Sequence, residues 1–329
     1  MKTTTSITKQ PEILIISSEE DSNYKSITEW LAYYKADFFC INAYSDILSI
    51  HSYDMQTQEM SLLIENQNQE FIIDINNVKT VFIRKGILNF KVNPISDALL
   101  KQHAVLDYIY HYEKSLNEFL EYYFRSRCNV IGLWGAAFIN KLIVLEEAKK
   151  VDFKIPETFL KTNLNTLKTN TSYISKTVAI PLITTSNHKK FMTYTGKLDF
   201  SLFPKRIMTS LIQKEIKKLF EIRVFVFLKK IYSMAIFSQM NKESVVDYRV
   251  YNNDTPYLEE PYTIPNYLQK KILKLMEVLK LNTGSFDFMY TEDGEYYFLE
   301  VNPVGQFGHL GRVCGVDLNK VIAQEIISL

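Results

Sequence analysis

Ser285-Phe-Asp-Phe-Met-Tyr-Thr-Glu-Asp-Gly-Glu-Tyr-Tyr-Phe-Leu-Glu-Val-Asn-Pro303 is the stretch whose reading decides the fold. Asp293-Gly294 between two alternating runs predicts a β-hairpin. A two-residue turn there sets Glu292 opposite Glu295, Met289 opposite Phe298, Asp287 opposite Glu300 and Ser285 opposite Asn302. Phe286, Phe288, Tyr290, Tyr297, Leu299 and Val301 then share the other face, which is apolar or aromatic throughout and must be core. Asp287 and Glu300 stand with Cβ atoms about 5 Å apart. Asn302, two residues past Glu300, points the same way. Two like charges so close need something between them. Two carboxylates and an amide oxygen form a hard, all-oxygen set suited to magnesium, which also takes phosphate oxygens, so a nucleotide is implied. The plain alternative is a solvated hairpin face with two acids. Asn302-Pro303 and the glycines at 305, 308 and 311 weigh against it, because they turn the chain sharply beside the pair.

Upstream, Asn266 to Leu281 predicts an amphipathic helix, and strands at 222–228 and 231–238 frame Lys229-Lys230. The segment 242–262 between them is polar and Tyr-rich, a long loop. Lys141 to Lys150 predicts a helix with Asn140 as its N-cap, stopped by Pro156. Asn163 to Thr171 is a polar loop. Strands are expected at Ser172 to Val178 and Phe191 to Tyr194, and a basic linker leads to Leu211. Before position 129 the pattern alternates: strand at Ile13 to Ile16, helix at Ser26 to Lys35, strands at Ala36 to Ala43, Phe71 to Ile75 and Val78 to Ile83, then a long helix at Ala98 to Tyr123. This is an α/β domain. It has no nucleotide-binding glycine pattern after its first strand, which disfavours a Rossmann dehydrogenase.

The whole chain of 329 residues carries 38 Lys and Arg against 37 Asp and Glu, a net charge of +1, so bulk charge does not hold it on nucleic acid or on a membrane. Its 47% apolar and 23% charged residues exclude disorder. No stretch nears the ~20 apolar residues of a membrane helix. Cys40, Cys128 and Cys314 lie far apart, which supports neither a disulfide framework nor a cysteine metal site. With only Ile13 to Ile16 apolar near the N-terminus, a cytoplasmic protein is expected.

At Asp287, Glu300 and Asn302 the chain resembles the ATP-grasp ligases, in which an Asp on one strand and Glu-x-Asn on the next hold two magnesium ions. The resemblance covers roughly 129–329. It implies an ATP-grasp fold of α/β (α+β) class: an N-terminal α/β domain over 1–127, a central small domain over 128–210, and a C-terminal domain over 211–329 with a mainly antiparallel sheet and the metal site. ATP and two Mg2+ are its cofactors. Lys141, which opens a helix, and Lys176, which ends Tyr-Ile-Ser-Lys, resemble the family's phosphate lysines. Ile212 to Ile216 resembles the segment that binds adenine, giving Gln213, Lys214, Glu215 and Ile216 as cofactor-binding residues; position 214 is often an acid in the family. Glu221 matches the acid that holds the ribose hydroxyls, and Arg223 the arginine near the reacting groups.

A narrower resemblance is to the peptide maturases that build graspetides, in their grasp-with-spasm branch. It rests on Glu221-Ile-Arg223, Asp247-Tyr-Arg249, Glu300-Val-Asn-Pro-Val-Gly-Gln306 and Phe82-Ile-Arg84-Lys. It implies an enzyme that activates Asp or Glu side chains of a ribosomally made precursor peptide as acyl phosphates and joins them to Ser, Thr or Lys side chains as macrocyclic esters or amides. Arg223 and Arg249 would then be catalytic, with Asp247 a candidate base, and Arg84 and Gln306 would meet the substrate. Ser285 stands two residues before Asp287, where several relatives have Arg, and Arg249 is the substitute. The partners implied are a precursor peptide with its leader segment and a second copy of the chain in a homodimer, with neither nucleic acid nor membrane. Competing readings are an ATP-grasp ligase that adds glutamate or another amino acid to a protein or small acceptor, and a nucleotide-sensing scaffold.

Overall fold

The computed structural model describes residues 6–66, 69–135, 139–168, 170–179, 183–186, 189–192, 195–201, 206–238 and 258–329. The chain forms two compact units, Met1–Ala137 with Asp317–Leu329, and Phe138–Val316.

In the first unit the β-branched run Ile13–Ser17 is buried along its whole length and lies inside a parallel sheet. Its neighbours are Phe38–Asn42 on one side and Thr80–Ile83 on the other, and Asn129–Ile131 completes the sheet. Ile13–Ser17 and Thr80–Ile83 are buried throughout, which explains their lack of alternation. Glu70–Asp74 belongs to a second, mixed sheet in the order Ile7–Lys9, Glu70–Asp74, Met60–Glu65, Ile47–Tyr53, Asn89–Phe90. The antiparallel pair Ile47–Tyr53 and Met60–Glu65 was not legible in the sequence: serines, a histidine and an acid interrupt its apolar residues. The long helix is His103–Arg125, with a separate turn of helix at Asp97–Leu100. The last helix, Leu318–Ser328, packs on Ser22–Tyr33 within this unit, and Trp30 Nε1 donates to Asp317 at 3.0 Å.

The second unit carries two larger sheets and the short hairpin Ile183–Ser186 with Lys189–Met192. The four-stranded sheet runs Thr158–Asn163, Arg206–Lys214, Tyr173–Lys176, Gly196–Lys197, with antiparallel pairing throughout. The expected basic linker before Leu211 is in fact the first half of Arg206–Lys214. Its Ile207, Thr209 and Ile212 suit a strand, and two neighbours pair with it. In the expected loop 163–171, Leu164 and Leu167 are buried against Tyr173 and Ile212.

The five-stranded antiparallel sheet runs Leu258–Pro261, Lys230–Phe237, Lys218–Phe227, Thr283–Thr291, Tyr296–Asn302. Phe286, Phe288 and Phe298 are fully buried in it, and Phe153 stacks on Phe298 at 5.3 Å. Of the expected loop 242–262, residues 242–257 lie outside the described ones, and Leu258–Pro261 is a strand. No helix of the described residues is long and apolar enough to cross a membrane.

Candidate active site

The hairpin reaches the expected pairing of its carboxylates by a different route. Its turn has three residues: Thr291 N–H donates to Glu295 O at 3.1 Å, and Gly294 takes φ +81°. This is the left-handed corner of a type I turn with a bulge. It shifts the register by one, so Met289 faces Tyr297 and Phe288 faces Phe298. A second irregularity between Asp287 and Phe288 leaves Leu299 as the extra residue and restores the expected register. Asp287 therefore faces Glu300, and Ser285 faces Asn302, as the sequence predicts. The correction falls on the faces: Phe298 is core, while Leu299 lines a cleft together with Met289.

Arg223 on the neighbouring strand is the register partner of Asp287, so Arg223, Asp287 and Glu300 form one row across three strands. Arg223 Nη1 lies 3.6 Å from Asp287 Oδ1, and Asp287 is only 7% exposed. Lys141 Nζ approaches Glu300 Oε2 at 3.3 Å. Lys141 is the first residue of the helix Lys141–Lys150, and Asn140 caps that helix by accepting from Leu142 N–H at 3.0 Å. The two acids thus lie side by side, with a base at each end of the line. The donor set also fits magnesium: two carboxylates in register, with Asn302 one pair further along the same face. Asn302 Oδ1 accepts from Val304 N–H at 3.1 Å, which fixes the amide and leaves its oxygen a second lone pair. Among the described residues, no three of His, Cys, Asp and Glu cluster as a metal site, so the amide is needed to complete this set.

The loop after Asn302 sits directly on Ser285. A Cβ built on Gly305 would lie 2.2 Å from Ser285 Oγ, so Gly is required at 305. Gly305 N–H donates to Asn302 O at 3.1 Å.

The residues expected to bind adenine end the Arg206–Lys214 strand and continue past it. Lys214, Glu215 and Ile216, with Pro156, Ile174, Met289 and Leu299, line a narrow cleft. Gln213 is buried: its Nε2 donates to Thr158 Oγ1 at 3.0 Å, and its Oε1 has no hydrogen-bond donor among the described residues. Lys214 N–H donates to Glu157 O, and Glu215 N–H to Ser172 O. Burial works to raise the Glu215 carboxyl, but hydrogen bonds from Lys197 and Ser172 and the charges of Lys197 and Lys218 hold it below its ordinary value.

Glu221 is buried and ion-paired with Lys218, which the sequence reading overlooked. In a regular strand, positions three apart face opposite ways. A register shift between Lys218 and Phe220 turns Lys218 onto the side of Glu221.

Other expected residues lie apart. Lys176 ends the Tyr173–Lys176 strand, in the four-stranded sheet rather than in the sheet that carries the carboxylates. Gln306 is exposed in the loop before the helix Gly308–Val313. Arg84 is a correction. It is 1% exposed within the first unit, and its Nε donates to the fully buried Asp21 at 2.9 Å. Asp21 also caps the helix Ser22–Tyr33. Arg84 is thus part of the packing of that unit and presents no surface to a substrate. Asp247 and Arg249 lie outside the described residues.

No protein-family model matches the sequence, and no curated protein matches it. Solved structures do. A RiPP-associated ATP-grasp ligase of Chryseobacterium gregarium, in complex with ADP and a leader and core peptide, matches with a TM-score of 0.78 at 20% identity over 97% of both chains. The macrocyclase MdnC of Microcystis aeruginosa, bound with precursor peptide MdnA, matches with a TM-score of 0.70 at 18% identity over 98% of this chain and 100% of that one. The macrocyclase MdnB of the same organism matches with a TM-score of 0.67 at 21% identity, over 97% and 99% of the two chains. Over nearly its whole length, the chain has the fold of these ATP-grasp ligases.

Proposed function

We propose that this protein is an ATP-dependent, ADP-forming peptide ligase that closes macrocycles in a ribosomally made precursor peptide. The observation that carries the reading is the row Arg223, Asp287, Glu300, extended by Lys141 at a helix N-terminus, within a fold matched end to end by ligases solved with ADP and precursor peptides. Asp287, Glu300 and Asn302 would hold magnesium, which when bound neutralises phosphate charge and orients the γ-phosphate.

Adenine is assigned to the cleft at Lys214 to Ile216, with Gln213 Oε1 as an acceptor for its exocyclic amino group. Glu221 is assigned to the ribose hydroxyls, and Lys141 and Lys176 to the phosphates. A substrate carboxylate oxygen attacks the γ-phosphorus, and the bond to the β-phosphate oxygen breaks to release ADP. The acyl phosphate is then attacked at its carbonyl carbon by a Ser or Thr hydroxyl or a Lys amine. Phosphate leaves, and the nucleophile's proton passes to a base, for which Asp247 remains the candidate. Arg223, with Arg249, stabilises the oxyanion and the departing phosphate.

We keep a central part over 128–210 and a C-terminal part over 211–329 as the proposed division. We also assign the chain to the cytoplasm and to a homodimer. The test is ADP release with magnesium and ATP, comparing a full precursor peptide, its C-terminal part alone and free glutamate. The full peptide should stimulate most. Equal stimulation by free glutamate would replace this reading with an amino-acid ligase.

A further inference from the structure

The Phe138–Val316 unit holds a groove that the site above does not use. It runs between the helix Lys141–Lys150 and the strand Thr158–Asn163. Leu142, Leu145, Phe159 and Leu160 give it an apolar lining. Among the described residues, Thr158–Asn163 is the edge of its sheet.

Lys214 N–H donates to Glu157 O at 2.9 Å, which makes these two a hydrogen-bonded pair across the ladder. Antiparallel ladders alternate, so Phe159 and Lys161 also bond toward Arg206–Lys214, and the main-chain N–H and C=O of Thr158 and Leu160 face the open edge. An open edge beside an apolar groove suits strand addition, in which main-chain bonds give affinity and alternate side chains fill the groove. The charges select the occupant. Glu146 and Glu157 line the groove, are exposed and have no ion pair among the described residues, against Lys149 as the one base in its lining. The excess is acidic, so a basic segment is favoured.

We propose that this groove binds an extended peptide segment with apolar side chains at alternate positions and Lys or Arg between them, added as a strand along Thr158 to Leu160. That the segment is the unmodified recognition portion of the substrate rests on the ligase reading; the groove itself rests on its own residues. The helix Lys141–Lys150 joins the groove to the site, since Leu142 and Leu145 line the one and Lys141 reaches Glu300 in the other. Pro156 lines both the groove and the nucleotide cleft. A filled groove therefore steadies the helix that presents Lys141.

The test uses the full chain without nucleotide and a fluorescent synthetic peptide of alternating Val and Thr with two Lys, about twice the length of an average strand. Binding is read by anisotropy. Leu160→Pro removes only an edge-facing N–H and keeps the ladder, so it should bind at least about tenfold more weakly than Leu160→Ala. The exposed double charge reversal Glu146→Lys with Glu157→Lys should weaken binding by a similar factor. Circular dichroism confirms that each variant folds. The proposal is overturned if Leu160→Pro and Leu160→Ala bind alike, if the double reversal binds as wild type does, or if the same peptide with Glu for Lys binds as tightly. Turnover does not enter this readout. A protein that binds the probe in this pattern but modifies no peptide refutes the ligase reading and leaves the groove standing.

Discussion

The two candidate metal carboxylates are held by different means. Asp287 is packed into the sheet beside Arg223, whereas Glu300 is more open and meets a lysine from a helix terminus. Glu300→Gln keeps the hairpin's buried face and should unfold within about 1 kcal/mol of wild type, because a partly exposed pair contributes little. It should nevertheless lose at least about 100-fold in kcat, the scale of removing one preorganised electrostatic group. Urea unfolding and ADP release measure the two separately. The Lys218–Glu221 pair behaves differently, because both side chains are buried. Glu221→Ala leaves Lys218 as an unpaired buried charge and should cost about 3–5 kcal/mol, while the double change Lys218→Met with Glu221→Leu should recover most of that. Urea midpoints of the three proteins check this. Glu215 sets an acid limit. Its carboxyl lies below its ordinary value of 4.5 in the folded state, so the stability it contributes is present above that pH and is lost as pH falls through the lowered folded value. Wild type should therefore lose its stability advantage over Glu215→Gln on acidification below pH 4.5, measured as melting temperature against pH.

At the scale of elements, the hairpin Thr283–Thr291 with Tyr296–Asn302 shows what the sequence made legible and what it hid. Alternation and Asp293-Gly294 foretold the hairpin and the meeting of Asp287 with Glu300. Neither the three-residue turn nor the extra residue Leu299 has a sequence signature, and their offsets cancel only beyond Phe288. The faces of Phe298 and Leu299 were consequently misread. Lys218 was hidden for the same reason, since a register shift changes which spacing shares a face. Arg84 was misread because its burial against Asp21 depends on a contact spanning 63 positions. Asn140 as a cap was plain because capping is local. The loop after Asn302 is shaped by a contact that sequence alone does not reveal. Gly305→Ala should place a methyl against the buried Ser285 side chain and cost about 1–3 kcal/mol. The added change Ser285→Gly should relieve it. Unfolding midpoints and the magnesium dependence of ADP release should move together, since the same loop fixes the Asn302 amide.

At the scale of the molecule, the alternation before 129 foretold the mixed strands and helices of the first unit, while the parallel direction of its inner sheet was not read. The return of Leu318–Ser328 to that unit was beyond sequence reading, because it joins the two ends of the chain. The Phe138–Val316 unit brings together what the proposed chemistry needs: a cleft at Lys214 to Ile216, a carboxylate pair flanked by cations, and an open strand edge beside an apolar groove. The proposed reaction closes rings in a peptide at the expense of ATP. The most direct measurement is mass spectrometry of a candidate precursor peptide, with Thr and Glu or Asp residues near its C-terminus, co-expressed with the wild type and with Glu300→Gln. The account predicts that the peptide loses one water per ring with the wild type and keeps its full mass with Glu300→Gln. A peptide that keeps its full mass with the wild type, or loses water equally with Glu300→Gln, would contradict it.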